Sequence, residues 1–286
     1  MEEQPMETLL VHIALISYAA GAAAFLTWLV RPDPRWAKAG RWLLLVGLVV
    51  HVGSFATSIG VAGLGLGAGT WKGGQLFSLL AALTVAGYLL LDRRGLVPIA
   101  GVVVAPLTVA VMVPAHLVAS SEYAVAQPLW SSGALFLHVA AATLGTAVLA
   151  LAFALSALYL ASERQAKSKR PGRLFARLTS LESIDRAGYR LAVWGFVFLS
   201  VAIGTGSLVS NAATGKVLPI APKEGFALLA WALLAAMIQA RLVAGWRGRR
   251  IALLVVVGFV LLAGVYAGLL SASPALRGAL ALGVWS

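Results

Sequence analysis

Eight long apolar segments, separated by short polar links, constrain the fold of this 286-residue chain more than any other feature. A helix needs roughly 20 apolar residues to cross the ~30 Å hydrocarbon core of a bilayer. The segments lack the period-2 alternation of strands, so helices are favoured. The sequence therefore predicts an all-α polytopic membrane protein with about eight transmembrane helices. The predicted spans are Thr8–Val30, Arg41–Leu64, Gly73–Leu91, Val97–Ala119, Trp130–Ala161, Gly188–Asn211, Gly225–Ala244 and Arg250–Leu270.

The composition excludes a water-soluble globular domain. Hydrophobic residues make up 60% of the chain and charged residues 11%, whereas soluble domains are about 45–50% apolar and about 25% charged. One aqueous core could not hide so much apolar surface, so the lipid bilayer is the predicted partner of most of it. The absence of cysteine excludes disulfides, thiolate metal sites and a Cys-x-x-Cys-His haem-attachment sequence within this chain.

Lysine and arginine mark one side of the membrane. Most of them follow the odd-numbered segments: Arg31, Arg35, Lys38, Arg41, Arg93, Arg94, Arg164, Lys167, Lys169, Arg170, Arg173, Arg177, Arg186, Arg190, Arg241, Arg247, Arg249 and Arg250. The others are Lys72, Lys216, Lys223 and Arg277. The positive-inside rule then places the basic links in the cytosol and both termini outside, in a cytoplasmic (inner) membrane. This sorting explains the net charge of +12 without a nucleic-acid partner.

The longest cytosolic link carries a helix-start signal. Thr179-Ser180-Leu181-Glu182 fits a capping box, in which the first and fourth residues exchange hydrogen bonds with the backbone. We interpret Arg173 to Arg190 as a short basic helix lying on anionic lipid. Docking of a partner protein is the alternative interpretation.

The four histidines are the best candidates for chemistry. On the predicted topology His12, His116 and His138 lie toward the outer leaflet, and His51 lies near the middle of the second span. Polar groups at membrane depth need partners and are often functional, and neutral imidazole is a common ligand of haem iron. The alternative for each is a structural histidine that is hydrogen-bonded to a neighbouring helix.

Two apolar loops on the predicted outer side contain lysines. Lys72 lies in the first loop, and Lys216 and Lys223 lie in the second. A flat apolar ligand with carboxylates, such as haem, would suit an apolar pocket rimmed by such cations. Ordinary solvated loop lysines are the other interpretation.

The second half of the chain contains an ordered set of short motifs. They are Leu135-Phe136-Leu137-His138-Val139, Ala154-Leu155-Ser156-Ala157-Leu158-Tyr159-Leu160, Leu181-Glu182-Ser183-Ile184-Asp185-Arg186-Ala187-Gly188-Tyr189-Arg190, Gly204-Thr205-Gly206-Ser207, Pro222-Lys223-Glu224 with Trp231, Gly245-Trp246-Arg247-Gly248-Arg249-Arg250, and Gly258-Phe259.

This set resembles the cytochrome c assembly family of CcsA (ResC) and HemX proteins over roughly residues 130–270. The resemblance divides a single membrane domain into four N-terminal helices (1–129) and four CcsA/HemX-like helices (130–286). It implies a haem-handling assembly factor rather than an enzyme, which presents haem at the outer face for attachment to apocytochrome c. A CcsB-like membrane partner is implied as well.

The resemblance also implies a haem ligand, because His138 matches a histidine that serves the family as an axial ligand. His116 could supply an improvised second ligand, and His51 is a further candidate because it lies at membrane depth. Lys216 and Lys223 of the second outer loop would rim the cofactor pocket. The prediction is a haem site made of His138, His116, His51, Lys216 and Lys223.

Several family positions differ in this chain and keep a second function open. No tryptophan occurs between Asn211 and Glu224, Ala221 stands where the family has aspartate, and Gln239 stands where it has histidine. A HemX-like regulator of tetrapyrrole synthesis, or another accessory protein that binds no haem, is the alternative. A small-solute transporter is a weaker third possibility, because the sequence shows no inverted repeat.

Overall fold

A computed structural model describes residues 4–62, 73–93, 98–117, 133–167, 180–217 and 222–271. The side chains of residues 4–7, 57–62, 73, 114–117, 222–223 and 269–271 lie outside the described part. The described ranges contain eight α-helices, and a 3₁₀ turn, Pro98–Ala100, leads into the fourth. The helices are α1 (Gln4–Val30), α2 (Pro34–Ala62), α3 (Gly73–Asp92), α4 (Gly101–Leu117), α5 (Gly133–Lys167), α6 (Leu181–Thr214), α7 (Pro222–Leu242) and α8 (Arg249–Ser271).

Seven helices within the described ranges are long and apolar enough to cross a membrane. The remaining apolar stretch, Pro98–Val113, is shorter than the roughly 20 residues that a perpendicular span needs. The predicted all-α polytopic membrane fold is confirmed, with seven full-length spans and one shorter apolar helix.

The second helix begins earlier than its apolar segment. α2 starts at Pro34, so Arg35, Lys38 and Arg41 lie on its first two turns and not in a link. Proline suits the first turn of a helix because its missing N–H would have no intrahelical partner there. Basic side chains can extend from such a turn to the membrane surface while the backbone stays helical.

The predicted separate surface helix is wrong over residues 181–190. These residues open α6, which runs unbroken to Thr214. The cap falls on Ser180, whose hydroxyl accepts the Ser183 N–H at 3.0 Å, one residue after the predicted Thr179. Gly188 is buried within this continuous helix, and a Cβ added there would lie 3.5 Å from Leu155 and 3.6 Å from Ser156 of α5. Residues 173–179 lie outside the described ranges.

The fifth helix is the centre of the bundle. Of its most apolar stretch 61% is buried, against 22% for α6 and 17% for α7. One face of α5 joins a core shared with α1, α2, α3 and α4, where Leu151, Leu155 and Leu158 are buried. The opposite face joins a second core, shared with α6, α7 and α8, through Leu149 and Ala152. α5 therefore connects the two halves of the bundle.

Glycines allow the helices of both halves to approach closely. A Cβ at Gly195 of α6 would lie 2.4 Å from the Leu149 side chain of α5, and one at Gly47 of α2 would lie 2.7 Å from the Tyr18 ring of α1. Small residues at such crossings are typical of membrane bundles. Lipid provides no hydrophobic driving force between helices, so their association depends on close van der Waals packing.

Candidate functional site

A cavity of about 300 Å³ opens at the end of the bundle where α5 and α7 begin and α6 and α8 end. This end is opposite the basic links. Most of the wall is apolar, with Leu76 of α3 contributing beside Leu199, Ile203, Leu228, Leu262 and Val265. Val217, which is 58% exposed, marks the mouth. The polar residues of the lining are His138, Thr143, Thr146, Ser207, Ser210, Glu224 and Tyr266.

His138 lies on the second turn of α5 and faces this cavity. Its Nδ1 is 2.7 Å from the backbone carbonyl oxygen of Ala202 on α6. A carbonyl can only accept, so Nδ1 must carry the proton and donate it. In the neutral ring Nε2 then carries a lone pair, and no described residue hydrogen-bonds to it. Metal-binding histidines are commonly fixed in this way by a hydrogen bond from the other nitrogen.

Gly206 makes room for the imidazole. A Cβ added there would lie 2.8 Å from Cε1 and 2.9 Å from Nδ1 of His138. Two residues earlier, a Cβ at Gly204 would meet nothing within 4 Å. Glycine at 206 is therefore a steric requirement of the His138 position, whereas glycine at 204 is not.

The backbone of Lys216 lies at the mouth of the cavity. α6 is capped by Gly215, whose φ of 69° is left-handed and whose N–H donates to the Asn211 carbonyl. The Ser210 hydroxyl donates to the Lys216 carbonyl at 2.8 Å, which folds the chain back over the last turn of α6. The side chain of Lys216 is exposed, beside the lining residue Val217.

His51 lies elsewhere, inside the first half of the bundle. It is fully buried, its Nδ1 is 3.2 Å from the Tyr18 hydroxyl, and its Nε2 is hydrogen-bonded to the Ser78 hydroxyl. Its ring stacks on Phe55 with centroids 5.3 Å apart. The structure therefore does not bring His51 together with His138.

The remaining candidate residues, His116, Lys223 and His12, are not seen to contribute side chains to the described cavity. The backbone of His116 belongs to α4 and that of Lys223 to α7, but both side chains lie outside the described residues. His12 bonds through Nδ1 to the Thr8 carbonyl of its own helix at 2.6 Å. The predicted set thus contributes His138 and the mouth residue Lys216 to the described cavity region.

Several cavity residues were not predicted from the sequence. Tyr266 of α8 donates its hydroxyl hydrogen bond to Thr146 of α5 at 3.0 Å, although the two are 120 residues apart. No periodicity in the sequence could indicate that these helices are neighbours. Ser207 and Glu224 do belong to the motifs noted above, so their positions, though not their roles, were marked.

A second polar cluster holds the opposite end of the same half. Asp185, at the start of α6, pairs with Arg241 of α7 at 3.0 Å and accepts the Gly248 N–H at 3.0 Å. The Arg241 guanidinium lies 4.1 Å from the centre of the Tyr189 ring. Gly248 has a left-handed φ of 65°, which favours glycine. These contacts give the motif residues of the α6 start and the α7–α8 link a common structural role.

The sequence of this chain matches a known protein family and several curated proteins. The family described as cytochrome C assembly protein matches residues 72–273, which include α3 to α8. A stretch of 92 residues is 42% identical to the cytochrome c biogenesis protein CcsA of Parasynechococcus marenigrum, covering 32% of this chain and 30% of the relative. CcsA of Trichormus variabilis is 37% identical over 113 residues, or 39% and 32% of the two chains.

CcsA of Porphyra purpurea is 38% identical over 92 residues, which cover 32% of this chain and 28% of the relative. The chain thus matches about a third of the length of these curated relatives. The family match itself covers well over half of the chain. The chain belongs to the cytochrome c assembly protein family.

Proposed function

We propose that this protein handles haem in cytochrome c biogenesis and that the cavity between α5, α6, α7 and α8 holds the cofactor, with His138 as a ligand to the iron. The observation that carries the proposal is the state of the His138 ring. One nitrogen is committed to the Ala202 carbonyl, and the other keeps a lone pair in a ring that lines a mostly apolar cavity. Neutral imidazole of this kind is a standard axial ligand of haem.

The residues of the cavity fit the cofactor. An apolar wall suits the macrocycle, and Gly206 leaves the space that the imidazole needs. Among the described residues no three His, Asp or Glu side chains come close enough to hold a metal ion. When bound, haem supplies the group that is attached to apocytochrome c through thioether bonds.

The proposed location follows from charge. The cavity opens at the end opposite the basic links, which the positive-inside rule assigns to the cytosol. Haem would then lie near the outer leaflet of the cytoplasmic membrane, and the exposed Lys216 would stand near its carboxylates. Apocytochrome c and a CcsB-like membrane protein are the proposed partners, and the chain acts as an assembly factor rather than an enzyme.

A HemX-like regulator that binds no haem is the second candidate. The absence of tryptophan between Asn211 and Glu224 favours it, and so does Gln239 at a position where the family has histidine. Gln239 is exposed near the basic end of α7, far from the cavity end. His116 or His51 as a second ligand stays a prediction, and the saturated ring of His51 argues for a structural role there.

Haem titration of the purified protein tests the proposal. We expect the wild type in detergent to give a Soret band that shifts on binding, and His138→Ala to weaken binding about tenfold or more, since the loss of a metal bond exceeds 1.4 kcal/mol. His12→Ala is the matched control, because His12 is an outer-half histidine outside the cavity lining. Equal binding by the wild type and His138→Ala would contradict the ligand assignment. A wild type that binds no haem would favour the regulator.

A further inference from the structure

Every hydroxyl group in the described lining of the cavity already donates a hydrogen bond to the protein. Thr143 donates to the Val139 carbonyl at 2.8 Å, and Thr146 donates to the Ala142 carbonyl at 2.7 Å. Ser207 donates to the Ile203 carbonyl at 3.0 Å. The hydroxyls of Ser210 and Tyr266 donate to the Lys216 carbonyl and to Thr146, as described above.

A hydroxyl has one proton to donate and two lone pairs. With the protons directed at the protein, these five groups present only lone pairs to a ligand. His138 is in the same state, because its proton goes to Ala202. The Glu224 carboxylate, when ionised, can only accept. The polar side chains of the described lining thus form a surface that accepts hydrogen bonds and gives none.

The size of the cavity limits how much of a ligand it can enclose. Pockets for drug-sized ligands range from about 300 to 1,000 Å³, and this one lies at the lower bound. A larger amphiphile would place one part inside and leave the rest at the mouth beside Val217 and Lys216. The chemistry of the lining then decides which part enters.

We propose that the cavity admits the metal-bearing or hydrogen-bond-donating part of its ligand and keeps anionic groups outside, beside the exposed Lys216. This inference rests on the proposed function and adds a binding orientation to it. Among the described side chains of the lining, a carboxylate inside would meet hydrogen-bond acceptors and no donor, which carries the desolvation penalty of an unpaired charge. The same argument disfavours fatty-acid anions and oxidised quinones, whose polar groups only accept.

Three porphyrins distinguish the orientation from its alternatives. The purified protein is titrated with iron protoporphyrin, with its dimethyl ester, and with metal-free protoporphyrin. We expect the ester to bind as tightly as the diacid within about fivefold, since a surface charge contact is worth little. We also expect His138→Ala to weaken the binding of both iron compounds and to leave the binding of the metal-free compound unchanged.

Lys216→Gln supplies the matching variant. It should weaken the diacid about two- to fivefold and leave the ester unchanged. The orientation would be overturned if the ester bound more than about tenfold more weakly than the diacid while His138→Ala still weakened binding of the diacid. That result would leave the assignment of the haem site intact. Failure of both iron compounds to bind would instead reject the proposed function.

Discussion

Each half of the bundle carries a histidine on an apolar helix, His51 on α2 and His138 on α5, and the two rings are held in opposite ways. In the first half the His51 ring touches Tyr18, Ser78 and Phe55, and both of its nitrogens are hydrogen-bonded. In the second half His138 commits one nitrogen to the Ala202 carbonyl and turns toward a cavity. A neutral imidazole has one donor and one acceptor. A histidine with both ring nitrogens hydrogen-bonded is therefore structural, whereas one with a single hydrogen-bonded nitrogen is a potential ligand.

The surroundings of the two rings also differ, since protein encloses the His51 ring and a cavity borders the His138 ring. Gly47 allows α1 and α2 to approach so closely that Tyr18 fills the space beside it. His51 is therefore sealed in protein on all sides, and its hydrogen bonds join α1, α2 and α3. Gly206, by contrast, allows the ring of His138 to reach the wall of an open cavity. Close packing serves helix association in the first half and, under the proposed function, presentation of a ligand in the second.

Removal of the His51 ring should produce the largest change in stability. His51→Ala leaves a void in the first half and takes a hydrogen-bond partner from Tyr18 and from Ser78. We expect the free energy of unfolding to fall by about 2–4 kcal/mol. Thermal unfolding of the detergent-purified protein measures it, and the variant that remains folded should still bind haem.

His138→Ala is the reference for that comparison. It removes one hydrogen bond beside an existing cavity, so its loss of stability should stay within about 0.5–1.5 kcal/mol. The structural role of His51 would be contradicted if His51→Ala were as stable as the wild type. It would also be contradicted if the variant lost haem binding while it remained folded.

Gly206→Ala should have the next largest effect and acts on the second half. Its Cβ would lie 2.8 Å from the His138 ring, so the ring must move and its hydrogen bond to Ala202 must lengthen. Overpacking of this kind costs about 1–3 kcal/mol, and disturbing the group that orients a metal ligand weakens binding by about 10–100-fold. Haem titration and thermal unfolding measure the two effects.

Gly204→Ala is the matched control for that variant. It lies on the same helix two residues away, and its Cβ would meet nothing within 4 Å. Alanine favours helix over glycine by about 1 kcal/mol, so this variant should be as stable as the wild type or more stable, with unchanged haem binding. Equal effects of the two substitutions would show that the requirement for glycine at 206 is not steric.

The sequence predicts the architecture well because bilayer thickness and apolar length are directly related. It predicts helix ends less well, as at Pro34 and Leu181, because hydropathy reports contact with lipid and not continuity of the helix. Arg35 and Arg186 are compatible with helical turns that extend beyond the hydrocarbon. The capping motif from Thr179 to Glu182 was a better guide to the start of α6 than the charges around it, although the cap falls one residue later, on Ser180.

Composition and helix position could mark His138 but could not distinguish it from His51, and only the family resemblance favoured His138. Both lie in apolar helices, and the difference depends on which helices are neighbours. The partner of His138 is a backbone carbonyl 64 residues away, which leaves no sequence signal. The cavity depends in the same way on α8 packing beside α5, where Tyr266 meets Thr146. Side-chain identity predicted the candidates, and tertiary packing sorted them.

The smallest expected effect gives the sharpest test of the comparison, since it separates a structural His51 from a haem ligand. Tyr18→Phe removes the hydroxyl group that is hydrogen-bonded to His51 and keeps the ring that fills the space beside Gly47. The loss of one buried hydrogen bond should cost about 0.5–1.5 kcal/mol in the free energy of unfolding. Tyr88→Phe, which removes the hydrogen bond from Tyr88 to the Pro98 carbonyl in the same half, is the control.

Haem affinity gives the decisive measurement for Tyr18→Phe. If His51 were an iron ligand, Tyr18 would orient it, and loss of such an orienting group weakens metal binding by about 10–100-fold. We expect no such loss, because the ring of His51 is closed off from the cavity by its own hydrogen bonds. A drop of that size in Tyr18→Phe, absent in Tyr88→Phe, would make His51 part of the haem site and remove the division between the two halves.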